Sequence, residues 1–235
     1  MMHPLFREDD MSLSRSPIAS RIDGAEARQK IMLCALKLFA DQGYAKTSVR
    51  QIAQAAKANV SAISYYFADK AGLYRTVFSW PGCDVQPDQY AFIAAELPLS
   101  EALRLFYVEF LQPLKMGEIM QDVVKLHFRE MFEPTGIWED EIENEIKPHH
   151  AALIGLLTRH LELEHEDDEL SSLALGCVGM AVHLFVGQDI IREMSPQLIE
   201  GDEAIDKMAE RYGRYALAMV LAEKERRTVR KGNRT

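Results

Sequence analysis

His127 and Glu130 stand three residues apart, and His149 and His150 are adjacent. On a helix, a His–Glu pair at this spacing shares one face and can hold a metal ion. Two ligands do not close a site, however, and neighbouring helical histidines diverge by about 100°. No metal is therefore expected. Cys34, Cys83 and Cys177 are odd in number and far apart, with neither metal nor disulfide spacing. They imply a reducing cytoplasm. Redox sensing is opposed by the place of Cys34 on the apolar stripe of a helix. No nucleophile–base pair, glycine-rich phosphate loop or metal triad occurs, so neither an enzyme nor a cofactor is expected.

The spacing does support contact with a nucleic acid. Residues 58–70 read ANVSAISYYFADK. Ile63 and Phe67 keep the spacing of a buried stripe. Val60, Ser61, Ala62 and Ser64 are small enough to enter a major groove, with hydroxyls for base edges and methyls for thymine. Tyr65 and Tyr66 can reach phosphates, with one of the two expected to pack and the other to face outward. Lys70 adds charge at the next helix start, and Thr47 and Ser48 do the same at the preceding one. Asn59, the cap of the reading helix, belongs to the same surface.

Charge supports this choice. The chain carries a net −9. Residues 21–75 nevertheless hold nine Lys/Arg against four Asp/Glu, and residues 76–235 hold 16 against 29. A small basic head on an acidic body suits a polyanion.

The elements that must position these residues are helical. Ile31, Ala35, Leu38 and Phe39 form one stripe, stopped by Gly43. Ser48 with Gln51 fits a capping box, with Thr47 as the competing cap. The helix that follows carries Val49, Ile52, Ala53 and Ala56, and a tight turn at Lys57-Ala58 leads to Asn59. A third helix is expected over about 60–66, and a fourth from Lys70 to near Trp80, capped by Asp69. PGCDVQP (81–87) marks a domain boundary. Beyond it, helices are expected near 88–96, 99–115, 117–133, 137–161, 167–193 and 202–224, with Pro148 kinking one of them or starting it afresh. The run ELEHEDDE (162–169) reads as a solvated loop and helix start. No run alternates with period two, so the fold class is all-α. The polar, acidic N-terminus has no signal-peptide pattern. Leu170–Val186 is the most apolar stretch, and its serines, histidine and glycines mark a buried or interface helix rather than a membrane span.

From Arg28 to Leu73 the chain resembles the DNA-binding domain of TetR/AcrR-family transcriptional regulators. The matching parts are IMLCALKLFADQGY, TSVRQIAQAA and YYFADK. The resemblance implies a homodimer binding an inverted repeat in double-stranded DNA and released by a small-molecule effector. With the breaks in composition and pattern, the chain is expected to divide into a disordered arm (1–20), a three-helix helix-turn-helix domain (21–80), a larger helical effector-binding and dimerisation domain (81–224) and a basic flexible tail (225–235). This sequence has Lys57 where the family usually places glycine, and Ser64 and Tyr66 where it often has tyrosine and histidine. The phosphate contact of the first tyrosine then falls to Tyr65. Residues 125–150, KLHFREMFEPTGIWEDEIENEIKPHH, resemble the CecR-like subgroup, which implies an effector-responsive repressor of transport or drug-resistance genes.

In the body, Phe106, Phe110, Met120, Phe128, Met131, Phe132 and Trp138 are expected around a cavity for an apolar or aromatic molecule, with His127, Arg129 and Glu130 as polar candidates. Arg129 is expected to pair with Glu133 one turn on. Leu173, Cys177, Val178, Ala181, Leu184 and Phe185 form one stripe near the C-terminus. Ile205, Met208, Tyr212, Tyr215 and Met219 form another, and Gly176 and Gly179 permit close approach. Together they are expected to make a four-helix dimer seam. The competing reading is an architectural DNA-binding protein with no effector.

Overall fold

The computed structural model describes residues 17–79 and 90–232. Among these residues the backbone is helical, with no strand. The head contains α1 (Pro17–Gln42), α2 (Val49–Ala56), α3 (Val60–Phe67) and α4 (Lys70–Phe78). Gly43, at φ 82°, ends α1 by returning its N–H to Phe39 O at 2.9 Å. Ser48 caps α2 through the expected box with Gln51. Lys57 takes the left-handed conformation at φ 52°, ψ 40°, and its N–H closes back onto α2. The Asn59 side chain accepts from Ser61 N at 2.9 Å, and Asp69 accepts from Gly72 N at 2.7 Å. The join between α3 and α4 is very close: a Cβ on Gly72 would lie 2.0 Å from Phe67 O. Only glycine fits there.

The body contains α5 (Leu99–Leu111), α6 (Gly117–Phe132), α7 (Trp138–Glu141), α8 (Lys147–Leu161), α9 (Asp168–Val186), α10 (Gln188–Met194) and α11 (Asp202–Gly232). Several expectations change. Of the helix expected near 88–96, residues 88 and 89 lie outside the described region, and the rest holds a single 3-10 turn at Ala91–Ile93. The helix expected over 137–161 is interrupted by a π turn at Ile142–Ile146, after which Pro148 stands in the first turn of α8. Proline has no N–H and crowds the carbonyl four residues back, and a wider turn relieves both. The helix expected over 167–193 breaks at Gly187, where a Cβ would meet His183 O at 2.8 Å.

The described parts of both terminal segments are more helical than expected. Residues 17–20 of the arm belong to α1, while residues 1–16 lie outside the described region. The basic tail continues α11 to Gly232. Arg227 donates to both carboxylate oxygens of Asp167 at 2.7 Å each. Arg226 and Arg230 pair with Glu169 at 2.6 and 3.1 Å. The charges expected to fray into solvent instead hold the last turns of α11 against the start of α9.

Two hydrophobic cores form. One lies among α5, α8, α9 and α11 and includes Leu103, Tyr107, Leu157, Ala181 and Val220. The other holds the head, including Ile31, Phe39, Ile52, Ile63, Leu73 and Val77, and it also takes in Met120, Val123 and Leu126 from α6. The first turns of α6 are thus built into the head. Met120, expected in a ligand cavity, is one of these core residues.

A lysine in the left-handed region costs about 1 kcal/mol relative to glycine. Lys57→Gly should therefore raise the stability of the head by about that amount, read as a higher urea midpoint with an unchanged slope. A lower midpoint would show that the lysine side chain stabilises the turn.

Candidate nucleic-acid interface

The outward face of α3 follows from its buried one. Ile63 and Phe67 are packed in the head core, 1% and 6% exposed. Val60, Ser61, Ser64 and Tyr65 face the opposite way and are exposed. Tyr65 is the most open, at 82%. Ala62 and Tyr66 are half-buried and pack against the core from its edge. The Tyr66 hydroxyl lies against Gly24 of α1, where a Cβ would come within 3.3 Å of it. The two phenol rings meet edge to face at 4.9 Å. Tyr66 is therefore the packing phenol and Tyr65 the free one. The result is a short helix showing methyls and hydroxyls between an aromatic ring and a capped N-terminus, a shape and chemistry suited to a major groove.

The surrounding polar residues divide. Thr47 does not face outward. It is 1% exposed, and its hydroxyl donates to Gly43 O at 2.8 Å and Leu38 O at 3.2 Å. Its expected phosphate contact is withdrawn, because this hydroxyl ties the turn to the end of α1. Ser48 is exposed, but its hydroxyl is engaged by Gln51. What it offers outward is the N-terminus of α2. Lys70 is half-buried with its Nζ 4.1 Å from the Tyr44 ring centroid. Burial lowers its pKa from the ordinary lysine value. The ring fixes the position of the ammonium. Lys46, Arg50 and Lys57 are exposed on and around α2. The basic excess of residues 21–75 is the sequence signal that points to them.

Comparison with known proteins fits this geometry. Residues 31–77 match the model of bacterial regulatory proteins of the tetR family. Residues 99–222, over half the chain, match the C-terminal domain of the HTH-type transcriptional dual regulator CecR. The chain belongs to the TetR family. It is a DNA-binding transcriptional regulator with a CecR-type C-terminal domain, not an enzyme. CecR of Shigella flexneri is 26% identical over 184 residues, covering 74% of this chain and 82% of that protein. The probable regulator YttP of Bacillus subtilis is 46% identical over 52 residues, 22% of this chain and 25% of that protein. In fold, a putative fatty acid metabolism regulator from Clostridium perfringens superposes with a TM-score of 0.54 at 20% identity, over 81% of this chain and 97% of that one.

In this TetR-family body, the residues expected to line one cavity do not converge. Phe106 is 4% exposed within the core, whereas Met131 is 37% exposed on the surface. His127 stacks on Phe78 of the head at 4.1 Å, bonded through Nδ1 to Val123 O at 2.8 Å. Burial lowers its pKa. Trp138 is half-buried at the start of α7. Phe110 and Phe128 do approach each other, through Phe185, at 6.0 and 5.8 Å. Two open depressions, of about 330 and 430 Å³, lie elsewhere, beside Arg104 and Arg214 and beside Ser172 and Met219. The sequence reading missed a polar group near α5. Glu109 accepts from Tyr90 N at 3.1 Å, and the Tyr90 hydroxyl lies 3.2 Å from His149 Nδ1. Burial raises the Glu109 pKa. No set of three metal-binding side chains occurs among the described residues.

The expected dimer stripe is also half turned. Cys177, Ala181, Leu184 and Met208 are buried in the body core. Tyr107 donates to Cys177 O at 2.8 Å, and burial pushes the Cys177 thiol up to about 11. Phe185, Tyr212 and Met219 are half-buried, while Tyr215 is 52% exposed. The face left open carries Leu175, 62% exposed, together with Gly176 and Gly179.

Lys70→Ala and Thr47→Val should separate contact from support. With an operator duplex, the first should flatten the dependence of log affinity on log salt by about 0.9 for one lost phosphate contact. The second should leave that slope unchanged and lower stability by about 1 kcal/mol. Anisotropy titrations at several salt concentrations provide the check. An unaltered slope for Lys70→Ala would remove it from the interface.

Proposed function

We propose that the protein is a homodimeric repressor that reads an inverted repeat with two copies of α3 and leaves it when a small molecule binds the body. The observation carrying this reading is the outward face of α3, with Val60, Ser61 and Ser64 presented between a capped N-terminus and exposed Tyr65. A dimer seated on both half-sites excludes other proteins from the duplex, so repression is the sign proposed. Such a regulator works in the cytoplasm, where the DNA is.

The dimer is proposed to form through the uncovered side of α9 and α11. Only 28% of the most apolar window of α9 is buried within the subunit. Leu175 and Tyr215 project there, and exposed Gly176 and Gly179 let a second backbone approach closely. A soluble chain rarely leaves so apolar a helix uncovered, and a twofold seam hides it on both copies at once. For the effector, the proposed wall is the ring series Phe110, Phe185 and Phe128, with Glu109 and His149 as polar groups. Release requires that the ligand favour the state in which the head spacing no longer fits the operator.

Selection from random duplex DNA tests the first claim. An enriched inverted repeat is expected. Binding without enrichment would support an architectural protein instead, and no binding at low salt would exclude both. Leu175→Glu should yield monomers in sedimentation and reduce operator affinity by at least tenfold. A dimeric Leu175→Glu protein would place the seam elsewhere.

A further inference from the structure

The basic end of α11 is bonded to the end of α8 and the start of α9. Arg227 donates from Nη1 and Nη2 to the two carboxylate oxygens of Asp167, the N-cap of α9, at 2.7 Å each. Asp167 still accepts from Leu170 N at 2.8 Å, so grip and cap coexist. Through Nε, Arg227 also donates to Glu223 one turn earlier. The Arg227 and Glu223 side chains are only 13% and 15% exposed. Glu169, in the first turn of α9, bridges Arg226 at 2.6 Å, Arg230 at 3.1 Å and Arg227 at 3.5 Å. Lys224 donates to His160 O at 3.1 Å and to Glu162 at 3.0 Å. Isolated ion pairs in water contribute little. A forked pair shielded from water, with carboxylates shared between guanidiniums, fixes a geometry.

What this clasp fixes is the spacing of two helices. α11 is seated on α5 so closely that a Cβ on Gly213 would lie 3.1 Å from Arg104 Cα. α9 meets α11 at Gly176, where a Cβ would come within 3.2 Å of Met219 Cε. Between that contact and the clasp the helices part, leaving the depression of about 430 Å³. Leu173, Met219 and Ala222 give it an apolar lining, and Glu169, Glu223 and Arg226 of the clasp complete it.

We propose that this depression is a socket for an apolar side chain of a second copy of this chain, and that the arginine clasp is the positioning element that holds it open. The inference rests on the proposed seam along α9 and α11, and adds the feature that keeps its two helices in register. Three observations favour a second copy as the occupant. The apolar lining continues the uncovered stripe of α9, which carries exposed Leu175 and Gly176 one turn away. A twofold seam provides two sockets and two sets of projecting side chains, so each copy gives and receives. The clasp matches Asp167, Glu169 and Glu223 with Arg226, Arg227 and Arg230, three charges of each sign. Such a rim can be covered without burying an unpaired charge. Without Arg227, the contact at Gly176 stays but the first turns of α9 lose their tie. The socket can then change width, and carboxylates in its wall lose their partner. Arg227 acts by positioning, because the groups it holds belong to its own subunit.

The test is self-association of the full chain without DNA, by sedimentation over a dilution series, with urea midpoints measured beside it. Ala222→Trp fills the socket from an exposed position. It should raise the dimer dissociation constant at least tenfold and leave the urea midpoint of the monomer unchanged. Arg227→Gln removes the forked grip and should raise the constant about threefold to thirtyfold. Arg227→Lys keeps the charge without the fork and should fall between wild type and Arg227→Gln. Unchanged dimerisation in Ala222→Trp would overturn the socket. Unchanged dimerisation in Arg227→Gln, or full rescue by Arg227→Lys, would overturn the positioning role of the clasp. If Arg227→Gln fails to fold, Arg227→Lys and Ala222→Trp decide. A wild-type monomer, or a Leu175→Glu protein that stays dimeric, would instead count against the proposed seam itself.

Discussion

A carboxyl group with no exposed surface must be hydrogen-bonded on both oxygens or not be there at all. Glu130 meets that condition only because Tyr74 and Thr135 arrive from different parts of the chain. Much of the architecture follows from this requirement. α6 must lie against α4 so that the phenol can reach, and Phe132 must be followed by a loop that turns back by Thr135. The Tyr74 phenol is held well above its ordinary pKa, first by burial and then by the hydrogen bond to Glu130. It stays protonated and a donor to Glu130.

The helix that carries Glu130 is shared. Met120, Val123 and Leu126 are core residues of the head, while Phe128, one turn on, meets Phe185 of α9. One face of α6 is thus built into the head, and Phe128 on another face touches the rings of the body. The ring contacts beside α6 are the wall proposed for a ligand.

Legibility in the sequence followed the range of the interactions. The Ser48–Gln51 box, the caps at Asn59 and Asp69 and the turn at Lys57 are local, and each could be read within four residues. Thr47 could not: its hydroxyl looks like any N-terminal hydroxyl until Leu38 O and Gly43 O are brought to it. The stripe through Cys177, Ala181 and Leu184 was found by its spacing, but α9 is apolar on two sides. Spacing alone does not tell which side meets its own subunit. Arg129 was correctly paired with Glu133 one turn away, while its bonds to Ala40 and Asp41, nearly ninety residues away in sequence, left no local trace. The C-terminal arginines read as a fraying tail because Asp167, sixty residues upstream, is what holds Arg227.

The central claim is that two rigidly mounted heads read two successive major-groove faces. Hydroxyl-radical cleavage of the protein–operator complex measures this directly. The account predicts two protected windows whose centres lie about one helical turn, roughly 34–36 Å, apart on the same side of the duplex. A single window, or protection spread evenly along the DNA, would contradict it.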